Sequence, residues 1–140
     1  MATLFTRIIA GELPGRFVWR DPQCVAFLTK DPLRPGHTLV VPRREFDHWI
    51  DMDAALSAHV FSVAHRVAAG IQKAFPCRKV GVIVAGLEVP HVHVHLVPIE
   101  GLRDLDFDRQ DRNADPRAQD EAAERLRQAL RSLGHAEVSG

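Results

Sequence analysis

Histidine and valine alternate strictly from His91 to His95, and Leu96 continues the apolar set. Successive side chains of a β-strand point to opposite faces, so this run places His91, His93 and His95 on one face and Val92, Val94 and Leu96 on the other. A helix would scatter both sets around its circumference. The chain must therefore build a sheet that gives the valine face a partner and leaves the imidazole face toward a cleft or solvent. Neighbouring imidazoles on such a face lie roughly 6.5 to 7 Å apart along the strand.

A partner for the apolar face is present. Within residues 52 to 75, Leu56, Val60, Val63, Val67, Ile71 and Phe75 recur at three- and four-residue steps, which predicts a long helix with one apolar stripe. Asp51 or Asp53 can cap it, and Gly70 lowers its propensity without overturning the pattern. Upstream, Leu4 to Ala10 reads as a short helix closed by Gly11 and Pro14. Phe17 to Arg20 and Val25 to Thr29 read as strands about an Asp21-Pro22-Gln23 turn, and His37 to Val41 as a third strand stopped by Pro42. Downstream come a strand at Val80 to Val84, a loop from Ala85 to Pro90, and the strand His91 to Val97, ended by Pro98. Residues 101 to 116 are charged and irregular. From about 118 to 133 the pattern is helical again, with Ala122, Leu126, Ala129, Leu130 and Leu133 on one face.

The first strands are joined too tightly for parallel crossovers, so the expected class is α+β. The expected architecture is a mainly antiparallel five-stranded sheet, one long central helix, a short N-terminal helix and a C-terminal helix. At 140 residues the chain reads as one domain, 1–140, with a core of about 3–100 and a C-terminal extension.

Eighteen basic and eighteen acidic residues cancel, which argues against bulk attraction to nucleic acid polymer or anionic membrane. A local phosphate site needs only a few donors and stays open. Cys24 and Cys77 form no CxxC and read as reduced thiols. Met1 to Arg7 lacks the pattern of a secretory leader, and no apolar segment is read as long enough, at ~18 residues, to span a bilayer. The expected location is cytoplasmic.

Three readings compete for the histidines: a polar strand face, a metal site, and nucleophilic catalysis. Imidazoles ~7 Å apart are too distant to share one ion at ~2.1 Å without distorting the strand. A neutral imidazole is a good nucleophile toward phosphorus, and crowding three of them disfavours protonating them all. Flanking imidazoles can donate to phosphate oxygens or to a leaving group.

The run His91-Val92-His93-Val94-His95-Leu96-Val97-Pro98 resembles the signature of the histidine triad (HIT) family. Leu4-Phe5-Thr6-Arg7-Ile8-Ile9-Ala10-Gly11-Glu12-Leu13-Pro14 is similar to its N-terminal segment. Pro35-Gly36-His37-Thr38-Leu39-Val40-Val41-Pro42 resembles its central strand, and Ala85-Gly86-Leu87-Glu88-Val89-Pro90 its approach to the triad. The resemblance spans roughly residues 3 to 100 and lies nearest the Hint-like and bacterial branch.

It implies an α+β HIT-like fold and an enzyme that attacks the α-phosphorus of a nucleotide derivative. His93 would be the nucleophile, His95 would contact phosphate and leaving group, His91 would hold the hydrogen-bond geometry, and His37 would join from the adjacent strand. Leu4, Phe5, Ile8, Leu13 and Phe27 would line the base pocket, and the backbone of Gly86, Leu87 and Val89 would face the phosphates. A nucleoside phosphoramidate, an aminoacyl-adenylate or a dinucleoside polyphosphate is the implied substrate, no cofactor is implied, and a homodimer is. Trp49, Val60 and Phe61 offer apolar surface for it. Histidines 48, 59, 65 and 135 match no triad position and read as surface or helix-face residues.

Departures from the family pattern mark the chain. Thr29 stands where relatives carry an Asp or Asn for the ribose, Leu87 replaces a Gln, Ile99 replaces an Arg, and the Asn-x-Gly loop is missing. They motivate an alternative: a nucleotide- or partner-binding protein on this scaffold with weak or lost catalysis. Some bacterial relatives bind zinc through Cys-x-x-Cys and downstream histidines. Here Thr3 and Thr6 fill the cysteine positions and Glu45 stands near the expected histidine, so no structural zinc is expected.

Overall fold

A computed structural model describes residues 1–140. In chain order the elements are α1 (Leu4–Ile9), β1 (Phe17–Arg20), β2 (Cys24–Leu28), β3 (Thr38–Pro42), α2 (Ala54–Ala74), β4 (Lys79–Ile83), β5 (Val94–Ile99) and α3 (Pro116–Ser132). The five strands form one sheet in the order β1-β2-β3-β5-β4, every neighbouring pair antiparallel. The α+β architecture expected from the sequence is the architecture found.

Each face of the sheet has its own apolar layer. Alternate residues Cys24, Ala26 and Leu28 of β2, Val40 of β3, and Val94 and Leu96 of β5 pack with Val92 against the α2 stripe and against Leu126 and Leu130 of α3. The opposite set, Phe17, Val25, Phe27, Leu39 and Val41, packs against Phe5 of α1. Burial on both sides explains why β2 and β3 read as nearly unbroken apolar runs, and it pins their register, since a one-residue slip would exchange the two layers.

Asp53 caps α2 by accepting from the Leu56 N–H at 2.8 Å. Gly70, a weak point by propensity, is where α3 crosses: a Cβ there would lie 2.6 Å from Leu130 Cδ2. The β1–β2 turn is tied to α2 through Asp21. Its carboxylate accepts from the N–H groups of Gln23 and Cys24, from Trp19 Nε1 and from His59 Nε2, all at 2.8–2.9 Å. His59, on the face of α2, is therefore half-buried and partnered, and His135, beyond the end of α3, packs edge-on to Trp19.

Several boundaries differ from expectation for identifiable reasons. β5 begins at Val94, not His91, and runs through Pro98 to Ile99. Proline is tolerated because β3 pairs with β5 only as far as Leu96, so beyond it β5 has a partner on one side alone, with Val80 opposite Pro98. Val60, expected as spare surface, is fully buried against the sheet, whereas Trp49 stays exposed and Phe61 partly so. Leu133 was expected on the packed face of α3, but it is the C-cap and 43% exposed, because the helix ends before it can turn inward. At 21 residues α2 is long and apolar enough to meet the criterion for a membrane span, which the sequence reading had denied. Its apolar stripe is taken up by the sheet and α3.

Candidate active site

The four expected histidines meet on the α1 side of the sheet. His95 lies opposite Leu39 in the β3–β5 pairing, and His37, two residues before Leu39, reaches it along the diagonal of the same face. Gly36 delivers His37 at this point: its φ of +96° favours glycine, and a Cβ would lie 2.7 Å from the Phe75 ring. His91 and His93 lie in the extended stretch that leads into β5, where no ladder holds the rings apart. The centroids of His93 and His95 are accordingly 4.8 Å apart, closer than straight strand spacing allows.

Backbone groups decide which nitrogen of each ring carries the proton. A carbonyl can only accept and an amide N–H can only donate. His93 Nδ1 sits 2.7 Å from the His91 carbonyl, so it bears the proton and Nε2 keeps its lone pair. His91 Nε2 sits 2.7 Å from the Pro42 carbonyl, so His91 is protonated there, and its Nδ1 accepts from the Thr3 hydroxyl at 2.7 Å. On the other side, the Leu33 N–H donates to His37 Nδ1 at 3.0 Å. His37 must therefore donate from Nε2 to His95 Nδ1, at 2.9 Å, which leaves His95 with its proton on Nε2. The site holds a lone pair on His93 and an N–H on His95, side by side.

All four rings are buried rather than open to solvent. Burial is the main reason their pKa values fall below the ordinary 6.5: to about 3 for His37, to about 4 for His95, and in the same direction for His91 and His93. The charge of neighbouring imidazoles adds to this for His37, His95 and His93 as a lesser cause. Burial is thus a larger effect than the crowding of imidazoles that the sequence adds to their ordinary titration near 6.5. His37 and His95 stay neutral well below pH 6.5.

Phe5, Phe27 and Ile8 of the expected base pocket come together, and Val89, expected to face the phosphates through its backbone, packs against the same cluster. Phe5 packs edge-on to His93 at 4.8 Å, to His91 at 5.8 Å and to Phe27 at 5.7 Å. Leu4 is 46% exposed, and neither it nor Leu13 belongs to this cluster. In the loop before the triad, Gly86 has a φ of +73°, and Leu87 is 94% exposed. The Thr29 carbonyl accepts from Gln119 Nε2 of α3.

Two participants escaped the sequence reading. Phe107, in a 3₁₀ turn (Phe107–Arg109), lies edge-on to His95 at 5.0 Å. The signal was the spacing Leu102, Leu105, Phe107 within an otherwise charged stretch, and Leu105 indeed packs on Gly81 of β4. Thr3, noted only where relatives carry a cysteine, touches the triad directly.

The sequence profile of the HIT domain matches residues 10–102. A HIT-like protein from Methanocaldococcus jannaschii is 35% identical over 99 residues, covering 68% of this chain and 77% of the relative. A bis(5'-nucleosyl)-tetraphosphatase (asymmetrical) from Schizosaccharomyces pombe is 33% identical over 85 residues, 57% of this chain and 47% of the relative. Among solved structures, a zinc-bound histidine triad family protein from Mycobacterium smegmatis superposes with a TM-score of 0.81 at 26% identity, covering 95% of this chain and 96% of that one. The chain belongs to the histidine triad family.

Proposed function

We propose that the protein is a nucleotidyl hydrolase or transferase that cleaves a nucleoside phosphoramidate, an aminoacyl-adenylate or a dinucleoside polyphosphate through a covalent adduct on His93. The observation that carries this reading is the 2.7 Å contact from His93 Nδ1 to the His91 carbonyl, which fixes the proton on Nδ1 and leaves the Nε2 lone pair free. Attack forms a bond from Nε2 to the α-phosphorus and breaks the bond from phosphorus to the leaving group, which departs with its electron pair and takes a proton from solvent. His95 Nε2–H stabilises the charge that gathers on the phosphate and leaving group without having to give up its proton. Water, or another acceptor, then attacks phosphorus, the P–N bond breaks, and the lone pair returns to Nε2. Phe5, Phe27 and Ile8 supply apolar surface for a base. The tetraphosphatase relative supports a substrate of this class.

A zinc site beside His91 does not fit this chain, although the histidine triad family protein from Mycobacterium smegmatis is zinc-bound. The donors that converge beside His91 are the hydroxyls of Thr3 and Thr6 and the Glu45 carboxylate, with no thiolate, and Glu45 Oε1 is already engaged by the Thr6 hydroxyl and the Thr3 N–H. No step is assigned to a metal. Protein purified without added metal should hold far less than one zinc per chain after dialysis.

The deciding experiment compares His93→Asn with wild type on adenosine phosphoramidate and a dinucleoside tetraphosphate in parallel. Turnover should vanish while nucleotide binding survives. Wild-type protein quenched during turnover of a labelled nucleotide should carry the nucleotidyl group on His93 as an acid-labile, base-stable adduct. A substantial residual rate in a pure His93→Asn sample would remove the nucleophile. Binding without turnover by wild type would favour the non-catalytic scaffold.

A further inference from the structure

Beside the triad lies a hydrogen-bonded cluster that the reaction scheme leaves without a role. The Thr6 hydroxyl donates to Glu45 Oε1 at 2.6 Å, and the Thr3 N–H donates to the same oxygen at 2.8 Å. The Thr6 N–H donates to Thr3 Oγ1 at 3.1 Å, which makes Thr3 the N-cap of α1. Because His91 Nδ1 must be an acceptor, the one hydroxyl proton of Thr3 is directed at it, over 2.7 Å. The Glu45 carboxyl is held below the usual range, chiefly by the Thr6 hydroxyl, so it stays an acceptor at neutral pH. The Thr6 hydroxyl oxygen, 3.3 Å from Thr3 Oγ1, is the more distant of the two acceptors open to the Thr3 proton.

We propose that Thr3 is a positioning residue for the nucleophile: its hydroxyl, anchored through α1 to Glu45, fixes the plane of the His91 ring, whose carbonyl orients His93. The inference rests on His93 being the nucleophile. His91 is a suitable intermediary because both ends of its ring are tied, to Thr3 and to Pro42, and its own carbonyl accepts the His93 proton. Phe5, two residues after Thr3, packs edge-on to both rings, so any shift of α1 reaches His91 and His93 together. Without the hydroxyl, Nδ1 of a buried imidazole has no donor, so the ring is tied at its Pro42 end alone and free to tilt, while the Pro42 carbonyl still keeps the proton on Nε2.

Three substitutions separate the roles of the side chain. Thr3→Val keeps the shape and loses both cap and donor. Thr3→Ser keeps both. Thr3→Asp keeps a good N-cap but has no proton for a neutral imidazole. In wild type, the side-chain ¹⁵N resonances of His91 should show Nδ1 unprotonated and Nε2 protonated. In Thr3→Val the proton should stay on Nε2, which the Pro42 carbonyl holds, while the Nδ1 resonance moves to that of an acceptor without a donor, and kcat should fall roughly tenfold with KM within about twofold, as expected when a reacting group is slightly misplaced. Thr3→Ser should restore the spectrum and most of the rate. Thr3→Asp should lose rate and shift the acid limb of the kcat profile upward, because a carboxylate beside His91 favours its imidazolium. Wild-type kcat together with an unchanged His91 spectrum in Thr3→Val would overturn the proposal. The spectrum decides it independently of turnover: if His93→Asn stayed active, the nucleophile would be lost while the His91 Nδ1 resonance in Thr3→Val still reported on the cluster.

Discussion

Four histidines of one site hold four different positions in the hydrogen-bond network, and none of the differences lies in the side chains themselves. Leu33, Pro42 and the backbone of His91 impose them. The same burial that keeps the rings neutral makes stability depend on pH in a defined direction. Unfolded imidazoles titrate near 6.5, whereas His95 and His37 in the folded state do so at about 4 and about 3. As pH falls below 6.5 the unfolded chain takes up protons that the folded chain refuses, so stability should decline from pH 6.5 down to about 3. Asp21 acts in a different window. Burial alone would raise its pKa, but bonds from Trp19, Cys24, Gln23 and His59 outweigh that and hold it at about 2 against an ordinary 3.8, so its contribution is lost only as pH falls from 3.8 to about 2. Thermal melts across pH should thus show a first decline that is shallower in the His37→Asn, His95→Asn double variant and unchanged in slope in Asp21→Asn. A wild-type melting temperature that is flat from pH 6.5 to 4 would contradict the assignment. Because the free Nε2 of His93 also resists protonation, activity should persist below pH 6.5.

At the scale of elements, the sheet is held by helices on one face while the opposite face carries the site, with α1 and the turn at Phe107 beside it. The crossing of α2 and α3 at Gly70 shows how packing overrides propensity. Alanine would favour an isolated helix by about 1 kcal/mol over glycine. Here its methyl would meet Leu130 at 2.6 Å and Leu126 at 3.2 Å, and overpacking of that kind costs about 1–3 kcal/mol. The net for Gly70→Ala should be destabilising by about 1 kcal/mol, seen as a lower urea midpoint with unchanged slope. A raised midpoint would mean that α3 yields readily. The α3 amides around Ala123, Leu126 and Leu130 should be among the slow exchangers, since that face is fully buried. On the other side of the sheet, Phe107→Ala removes the ring beside His95 and should change KM or leaving-group preference more than fold stability, measured on the two substrate types in parallel.

For the whole molecule, one edge of the sheet is open. β4 has β5 on one side only, and Val82 is exposed, as are Trp49 and Ile50 in the turn before α2. Exposed apolar side chains beside an unpaired strand invite a second copy across a twofold axis. A homodimer is therefore expected, and light scattering at micromolar concentration should give about twice 15.6 kDa. A mass near one chain would refute it.

What the sequence alone determined was whatever depends on neighbours in the chain. The alternation from His91 to His95 assigned the apolar side to the helix-packed layer, and Val92, Val94 and Leu96 lie there. The stripe of α2, its Asp53 cap and the hairpin turn at Asp21 are equally local. His37 was legible as a partner only through resemblance, since 58 residues separate it from His95 and nothing local couples them. Only tertiary structure decided the rest. Pro98 could stay inside a strand because of which neighbour was missing beside it, and the imidazoles drew closer than strand spacing because the ladder starts at Val94. The proton on each ring followed from backbone groups of Leu33, Pro42 and His91, which meet the rings only in the folded chain. Tautomers and pKa values depend on what surrounds a ring in space, and a period in sequence carries the direction of a side chain but not its surroundings.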